Sequence, residues 1–328
     1  MSISLAELGE AELLRRLAHF APPGQLSDDT AALPPDQRPL LVNTDVLVEN
    51  IHFSDATTSA GDVGWRAVAA NLSDLAASGA VGIDGITVAL VAPGTTPWNW
   101  VEGVYEGIGE ALQRFGGVLL GGDCSGGEQR LLSITALGRL GPLRLHRNGA
   151  RPNDMLVTSG PHGLSRLGLA LLQNDQRLNG VTLKQQLQDA AIQAHQRPMP
   201  RLDAFQRLLE SRPEGLPWRA GGTDSSDGLM AALQGLCTSS RCGANLDRCA
   251  LPVAQHWPSG DLWTRWCLAG GEDFELLISL PSSWAERWLQ CMPEGRCIGT
   301  ITEEPGMIRW SDNGEPVDAE GFSHYSQI

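Results

Sequence analysis

Lysine is almost absent from this chain. Of its 24 basic residues, 23 are arginines and one, Lys184, is a lysine. Lys184 lies in a polar stretch, far from any glycine-rich loop. The P-loop and the protein-kinase fold each place a lysine beside the nucleotide phosphates, so neither kind of phosphate site can be built here. Any phosphate chemistry must therefore rely on arginine and on metal ions.

Long apolar runs and paired cysteines are also missing. No run approaches the roughly 20 apolar residues that a membrane helix needs, and no basic segment precedes an apolar one at the N-terminus. The seven cysteines show no C-x-x-C spacing. An odd, scattered set of cysteines is typical of reduced thiols. We therefore expect a cytoplasmic protein that makes no membrane contact.

The net charge of −14 makes nucleic acid an improbable partner, because the bare surface would repel phosphate backbones. With 328 residues, of which 42% are hydrophobic, the chain can build two packed domains. A turn-rich break over 149–154 predicts a division into domains 1–148 and 149–328. Alternating strand and helix patterns predict the α/β class.

The periodicity of the hydrophobic residues predicts where helices and strands lie along the chain. In the first half it predicts strands over 40–42, 86–91, 118–120 and 131–137, and helices over 65–76 and 101–115. We expect the first strand to be buried and to end at Asn43-Thr44-Asp45, and the first helix to begin at an N-cap, Asp62, and to end at Gly79. In the second half the pattern predicts strands over 155–158 and 274–280, a helix over 164–172, a polar helical region over 174–196 and a helix from Asp227.

Five acidic clusters stand beside glycine, serine, threonine or asparagine. They are Ser27-Asp28-Asp29-Thr30, Asn43-Thr44-Asp45, Asn71-Leu72-Ser73-Asp74, Gly121-Gly122-Asp123 and Asp224-Ser225-Ser226-Asp227-Gly228. Carboxylates and hydroxyls without nearby histidine or cysteine are hard oxygen ligands that suit Mg²⁺ rather than Zn²⁺. If the clusters converge, they predict a magnesium-dependent phosphate enzyme.

Taken singly, several of these residues have simpler interpretations. Asp28-Asp29 fits a solvated turn, and Asp227 fits a helix N-cap. His52 alone fits a surface or half-buried histidine. Arg147 fits a solvated turn residue as well as it fits a phosphate clamp. The recurrence of one chemistry at strand ends and helix starts favours the collective interpretation.

These motifs, in this order, resemble the thiamine-monophosphate kinase family of the aminoimidazole-ribonucleotide synthetase-like superfamily. The resemblance covers nearly the whole chain. Its most specific segments are the motif over 69–80, which contains Asn71 and Asp74, and Gly270-Gly271-Glu272-Asp273-Phe274-Glu275-Leu276. The resemblance implies two α/β domains, a homodimer formed through the sheet of the N-terminal domain, and ATP-dependent phosphorylation of thiamine monophosphate.

The resemblance also implies residue roles. Several Mg²⁺ ions would be held by Asp29, Asn43, Thr44, Asp45, Asp74, Asp123, Asp224 and Asp227. ATP would contact Gly122, Asp123, Arg147 and Ser226. The thiamine phosphate would contact His52 and Glu272. The catalytic set would be Asp45, Asp74, Asp123, Arg147 and Asp227.

The chain departs from the family pattern at three positions. Ser27 stands where glycine is usual, and Cys124 stands where threonine is frequent. Ala319 stands where an aromatic residue often closes the substrate pocket, and Phe322 is the candidate replacement for that wall.

Other functions stay open at this point. Selenophosphate synthetase would need a reactive cysteine or selenocysteine and a lysine near the N-terminus, and the first 123 residues have neither. The related hydrogenase-maturation protein needs a C-terminal cysteine, and this chain ends in Ser326-Gln327-Ile328. An enzyme like aminoimidazole-ribonucleotide synthetase and a non-catalytic nucleotide-binding or metal-binding protein remain as alternatives.

Overall fold

The computed structural model describes residues 2–318 and divides the chain into two compact units. The first unit comprises the chain up to Leu75 together with Ala80–Leu140. The second unit comprises Ala76–Gly79 and the chain from Gly141 onward. No helix in the described part of the chain is both long and apolar enough to span a bilayer.

In its described residues the first unit contains one four-stranded sheet and four helices, and the last residues of the third helix, from Ala76, are grouped with the second unit. In chain order these are α1 (Leu5–Leu8), α2 (Glu10–Leu17), β1 (Leu40–Val48), α3 (Ala60–Ser78), β2 (Ala80–Ala92), α4 (Trp98–Phe115), β3 (Leu119–Gly126) and β4 (Leu131–Leu140). The strand order is β1-β4-β2-β3; β4 runs antiparallel to β1 and β2, and β3 runs parallel to β2. The predicted β-α-β-α-β-β order is confirmed, and helices α1 and α2 precede it.

The two faces of this sheet differ. One face carries Leu132, Ile134 and Ala136 of β4, each at most 1% exposed. Asn43 of β1 lies on the same face and donates to Asn71 of α3, so α3 covers this face. The opposite face carries Val42 and other apolar side chains of β1 that remain exposed. We call these the helix face and the open face.

Strand β1 corrects the predicted end of the first strand. Backbone pairing with β4 continues through Asn43-Thr44-Asp45 to Val48. The strand is also not buried on both sides, since Leu40 is 43% and Val42 58% exposed. Strand β3 likewise runs through Gly121-Gly122-Asp123, which pairs with β2. Polar residues do not end these strands because each strand has one accessible face on which polar side chains are tolerated.

Helix α3 begins one turn earlier than its pattern predicted. The Ser59 hydroxyl accepts from the Asp62 N–H at 3.2 Å and donates to the Asp62 carboxylate at 2.7 Å. Ser59 is therefore the cap, and Asp62 lies in the first turn. The predicted end is confirmed: Gly79 has φ +97°, a conformation that glycine adopts without a Cβ clash.

Up to residue 318, the second unit contains a six-stranded sheet and six helices. In chain order these are β5 (Met155–Thr158), α5 (Leu164–Leu172), α6 (Gln185–Gln196), α7 (Leu202–Glu210), β6 (Gly221–Asp224), α8 (Leu229–Ser240), β7 (Gly243–Leu246), α9 (Asp261–Ala269), β8 (Leu276–Leu280), α10 (Ser282–Cys291), β9 (Arg296–Thr302) and β10 (Ile308–Trp310). The strand order is β10-β7-β9-β5-β8-β6.

Two buried clusters form most of the core of this unit. One joins α8 with β7 and β9, and the other joins α7 and α10 with β8. Strand β5 and helix α5 have the predicted bounds. Two predictions need correction: α-helix appears only from Gln185 in the polar region over 174–196, and the last predicted strand starts at Leu276. All five residues of β8 are buried, so its sequence alternation does not reflect an exposed face.

Candidate active site

Four polar residues meet where β1 crosses α3 on the helix face of the first unit. Asn43 Nδ2 donates to Asn71 Oδ1 at 3.2 Å and to Asp74 Oδ2 at 3.1 Å. The Asp45 N–H donates to the same Asn71 oxygen at 3.2 Å. Asn71 is fully buried, and its own Nδ2 donates to the Ala67 carbonyl at 2.8 Å. We call Asn43, Asp45, Asn71 and Asp74 the β1–α3 cluster.

The β1–α3 cluster has oxygen ligands that fit a hard cation. Asn43 Oδ1 is buried and has no hydrogen-bond partner within residues 2–318, although its amide nitrogen has two. A buried polar oxygen without a partner is costly, and a bound cation would relieve that cost. The Asp74 carboxylate lies next to the Asn43 side chain, and Mg²⁺ prefers carboxylate oxygen to nitrogen or sulfur ligands.

The structure does not gather all the predicted metal residues. Within residues 2–318, no three His, Cys, Asp or Glu side chains are grouped closely enough to hold a metal ion. Asp29 lies in an exposed loop, where its N–H donates to the Asp28 carboxylate at 2.8 Å. This local bond is typical of the solvated turn that Asp28-Asp29 alone suggested.

Strand alternation places Thr44 and Asp123 away from the β1–α3 cluster. Thr44 lies on the open face, and its hydroxyl is 2.8 Å from the Thr135 hydroxyl. Asp123 pairs with Ala89, which shares that face with Thr135. Successive strand residues point to opposite faces, so Thr44 and Asp45 cannot share one site through their side chains.

Glycine and cysteine flank Asp123 on the helix face. A Cβ at Gly122 would lie 1.9 Å from the Val88 carbonyl oxygen, so only glycine fits this position against β2. Burial raises the pKa of the Cys124 thiol to about 11. Cys124 is therefore protonated at neutral pH and is not an activated nucleophile.

His52 is tied back to the end of β1. Its Nδ1 accepts from the Val48 N–H at 3.0 Å, so the ring proton of the neutral form is on Nε2. Arg66 donates to the His52 carbonyl at 3.4 Å. The ring is half-buried, and this hydrogen bond fixes its orientation.

In the second unit, β6 ends at the predicted Asp224 cluster. Asp224 is 4% exposed, and Asp227 is exposed. Helix α8 starts after Gly228, which has φ +101°, and no side chain caps its first N–H groups. The interpretation of Asp227 as an N-cap is therefore wrong, and its exposed carboxylate has no such structural task.

Arg147 lies beside this turn. Its Nε donates to the Thr223 hydroxyl at 3.1 Å, and its carbonyl accepts from the Ser240 hydroxyl at 2.7 Å. These contacts hold the base of the side chain while the residue remains exposed. An anchored, exposed guanidinium can bind phosphate oxygens with paired hydrogen bonds.

The Gly270–Leu276 motif reaches the same turn. The Glu272 N–H donates to the Ser226 carbonyl at 2.6 Å. Glu272 has φ +59° and Phe274 has φ +53°. Such left-handed conformations are unusual for residues other than glycine and concentrate at functional sites. The structure therefore joins Ser226 and Glu272, which lie far apart in the sequence.

The other acids of this motif have structural partners. The Asp273 carboxylate accepts from the N–H groups of Gly163 at 2.7 Å and Ser165 at 3.0 Å, so it caps α5. Burial nevertheless raises the pKa of Asp273 to about 7. The Glu275 carboxylate accepts from Arg201 at 2.6 Å in a buried ion pair.

The sequence pattern did not indicate one residue that lies near the motif. His195 Nδ1 lies 3.7 Å from Glu272 Oε2, and His195 is 2% exposed. A histidine within a polar helical stretch gives no signal of this contact, which depends on tertiary packing. Phe322 and Ala319, the two positions discussed for the pocket wall, lie outside the described residues.

Comparisons with known proteins bear on the whole chain. The family described as AIR synthase related protein, N-terminal domain, matches residues 27–140. The thiamine-monophosphate kinase of Prochlorococcus marinus is 54% identical over 313 residues, which cover 95% of this chain and 94% of that protein. The chain belongs to the thiamine-monophosphate kinase family.

Two further members of the thiamine-monophosphate kinase family support this result. The enzyme of Synechococcus elongatus is 44% identical over 328 residues, with 98% of each chain covered. A solved structure described as AaThiL complexed with AMPPCP and TMP has a TM-score of 0.75 and 28% identity, and it covers 99% of this chain and 100% of its own. The resemblance stated from the sequence and the aminoimidazole-ribonucleotide synthetase-like α/β fold are both confirmed.

Proposed function

We propose that this protein transfers the γ-phosphoryl group of ATP to thiamine monophosphate and forms thiamine diphosphate and ADP. The observation that carries the proposal is the 54% identity to a thiamine-monophosphate kinase over 95% of the chain. The match extends over nearly the full length of the chain and is therefore not confined to one of its two units.

The reaction needs no dedicated base. The second pKa of a phosphate monoester is about 6, so the acceptor is mostly a dianion at neutral pH. One of its oxygens attacks the γ-phosphorus of ATP, and the bond to the β–γ bridging oxygen breaks with its electron pair staying on ADP. The residues must align two anionic groups and neutralise their charge.

Magnesium is the proposed metal. In the first unit, Asn43, Asp45 and Asp74 supply the oxygen ligands, and Asp29, Thr44 and Asp123 are further predicted ligands. In the second unit, Asp224 and Asp227 are the predicted ligands. Bound Mg²⁺ would supply charge neutralisation of the phosphate oxygens. The β1–α3 cluster fits this task because Asn43 Oδ1 is buried without a hydrogen-bond partner within residues 2–318.

The nucleotide is assigned to Arg147, Ser226, Gly122 and Asp123. Arg147 is anchored through Thr223 and keeps its outer guanidinium nitrogens for phosphate oxygens. Because Lys184 is the single lysine, arginine is the side chain available for a cationic phosphate clamp.

The acceptor is assigned to His52, Glu272 and Phe322. Thiamine monophosphate carries an organic cation, which a carboxylate attracts and which aromatic surface can also hold. The Glu272 side chain is 34% exposed, so it is accessible to such a ligand.

We also propose a cytoplasmic homodimer. All seven cysteines are free thiols, which agrees with a reducing compartment. The open face of the first sheet exposes Leu40, Val42 and Val46 at 42–58%. An apolar sheet face of this kind is suited to burial against a second copy.

A product assay tests the proposed activity. The protein is incubated with ATP, Mg²⁺ and thiamine monophosphate, or with substrates of aminoimidazole-ribonucleotide synthesis, and nucleotides and thiamine esters are separated. We expect ADP and thiamine diphosphate in equal amounts. Product only from the aminoimidazole substrates, or no product from either, would support one of the alternative functions.

The same assay in excess EDTA isolates the metal requirement. We expect no turnover until Mg²⁺ or Mn²⁺ is restored, and no recovery with Zn²⁺, because the ligands are oxygens. Full turnover in EDTA would contradict the assigned metal role without affecting the assigned reaction.

A further inference from the structure

A buried arginine of the first unit contacts both ends of the loop that carries His52. The loop, residues 49–55, follows β1, and Arg130 directly precedes β4. The guanidinium pairs with Glu49 at the start of the loop and with Asp55 at its end. We propose that Arg130 is a positioning residue that holds this loop on β4 and thereby places His52 against the acceptor. This inference rests on the proposed function, which assigns His52 to thiamine monophosphate.

The backbone and the side chain of Arg130 both bind Glu49. The Glu49 N–H donates to the Arg130 carbonyl at 3.0 Å, and the Arg130 N–H donates to Glu49 Oε2 at 3.1 Å. The guanidinium Nη2 donates to Glu49 Oε1. This side-chain hydrogen bond lowers the pKa of Glu49, so the acid is ionised at neutral pH. The first residue of the loop is therefore fixed by directed bonds between opposite charges.

The same guanidinium nitrogen reaches the far end of the loop. Nη2 also donates to Asp55 Oδ2 at 2.9 Å. One nitrogen therefore joins the two ends, and we call Glu49, Arg130 and Asp55 the Arg130 bridge. The Glu49 side chain is 20% exposed and that of Asp55 is 69% exposed. Because water screens an exposed pair more strongly, the Glu49 pair contributes most of the restraint.

Two aromatic rings hold the guanidinium in place. Its Cζ lies 4.6 Å from the ring centroid of Trp100 and 6.0 Å from that of Phe53. Phe53 belongs to the loop and is 3% exposed. A planar guanidinium can stack on rings while its N–H groups bind two acids, whereas the ammonium of lysine is a point charge without that geometry. The site is therefore specific for arginine.

Inside the loop, local hydrogen bonds build a tight turn. The Asn50 N–H donates to the Phe53 carbonyl at 2.8 Å, and Asn50 has φ +63°. The His52 N–H donates to the Val48 carbonyl at 2.9 Å, and its Nδ1 accepts from the Val48 N–H. These bonds fix the shape of the turn. The contacts with Arg130 fix where the turn lies on β4.

Two other side chains reach the loop at single points. Gln129 Nε2 donates to the Glu49 carbonyl, and Arg66 donates to the His52 carbonyl at 3.4 Å. The Arg130 bridge differs from both because it joins the two ends and packs on a ring between them. Its loss should therefore loosen the whole loop rather than one residue of it.

The expected effect falls on the acceptor. A looser loop presents His52 in the binding position for a smaller fraction of the time, and the apparent affinity falls by that fraction. The residues assigned to ATP belong to other segments of the chain. The KM for thiamine monophosphate should rise, while the KM for ATP and kcat should change little.

The experiment compares the same substitution at the two ends of β4. Arg139 is 7% exposed, and its Nε donates to Asp84 at 2.7 Å, so Arg139→Lys is the matched control for Arg130→Lys. Both variants should have a lower melting temperature. We expect the KM for thiamine monophosphate to rise about tenfold in Arg130→Lys and to stay within about twofold in Arg139→Lys.

Amide hydrogen exchange reports on the loop without any substrate. Exchange in the peptide that contains residues 49–55 should be faster in Arg130→Lys than in wild type, and unchanged in Arg139→Lys. This measurement tests the Arg130 bridge separately from the identity of the acceptor. Exchange as slow in Arg130→Lys as in wild type would overturn the inference.

A milder variant is available if Arg130→Lys does not fold. Glu49→Gln keeps the size of the side chain and one acceptor oxygen but removes the charge, and it should raise the KM for thiamine monophosphate about threefold. Asp55→Asn, at the screened end of the bridge, should raise it by about twofold or less. A larger effect from Asp55→Asn than from Glu49→Gln would contradict the assigned order.

A double variant gives the decisive outcome. Arg130→Lys combined with His52→Ala should have the acceptor KM of His52→Ala alone, because Arg130 acts through His52. Multiplied effects in the double variant, or equal rises in Arg130→Lys and Arg139→Lys, would overturn the inference alone. Wild-type protein that does not phosphorylate thiamine monophosphate would overturn the proposed function and this inference together.

Discussion

At the scale of single residues, strand alternation decides which polar neighbours can act together. Asn43 and Asp45 reach α3, where Asn71 accepts from both, while Thr44 between them reaches Thr135 on the open face. Residue composition predicted the oxygen-rich chemistry of the Asn43-Thr44-Asp45 motif. It did not predict the division of that motif between two faces, because the motif was expected to end the strand.

Asp74 is the residue whose loss should reduce activity most clearly. Asp74→Asn keeps an oxygen that can accept from Asn43 Nδ2 but removes the negative charge that holds a cation. We expect kcat to fall by more than about a hundredfold while the protein stays folded. Steady-state assays beside thermal melts measure both effects.

The matched control is Glu128→Gln, which neutralises an exposed acid of the same unit. It should keep both kcat and the melting temperature. A normal kcat for Asp74→Asn would remove Asp74 from the metal assignment.

Asp227 gives a second test at the residue scale, because the N-cap alternative has been excluded by Gly228. Asp227→Asn should lower kcat by more than about a hundredfold. The loss of an N-cap lowers the free energy of unfolding by about 1 kcal/mol. Asp227→Asn should not show the fall in melting temperature that such a loss produces. Near-normal activity combined with a cap-sized loss of stability would contradict the assignment.

At the scale of elements, apolar periodicity located most helices and strands, but not where each one ends. The bounds of β5 and α5 and the glycine stop of α3 follow from local sequence. The continuation of β1 through Asn43-Thr44-Asp45 depends on pairing with β4, which is distant in sequence. Tertiary pairing of this kind cannot be read from a single segment.

Helix α3 provides an element-scale prediction. Ser59→Ala removes the side-chain acceptor of the Asp62 N–H and should destabilise the protein by about 1 kcal/mol with unchanged KM values. Chemical denaturation measures the change. The control is Asp318→Ala, at an exposed position, which should leave the free energy of unfolding unchanged. Thr57→Ala cannot serve as the control, because Thr57 makes hydrogen bonds of its own. A Ser59→Ala protein as stable as wild type would show that the cap is dispensable.

At the scale of the whole molecule, the sequence identified the family because its motifs are long and ordered, and relatives at 54% and 44% identity confirm it. The contacts of residues from different elements could not be predicted in the same way. Glu272 meets Ser226 and His195 only through the packing of the second unit. The sequence thus predicted the chemistry of the site better than its geometry.

The open face predicts a homodimer at this scale. Val42→Asp places a charge on an apolar surface that we expect a second copy to cover, so it should shift the protein from dimer to monomer. Sedimentation at micromolar concentration measures the state. Val181→Asp, at an exposed position of the second unit, should leave the dimer intact, and a monomeric wild type would contradict the expectation.

The choice of acceptor tests the central claim most directly. A phosphate dianion attacks without a base, whereas the hydroxyl of thiamine must lose a proton during attack and needs a placed base. Steady-state rates are measured with thiamine monophosphate and with thiamine under identical ATP and Mg²⁺. The account predicts that kcat/KM for thiamine monophosphate exceeds that for thiamine by at least about a hundredfold. Comparable kcat/KM values for the two acceptors would contradict it.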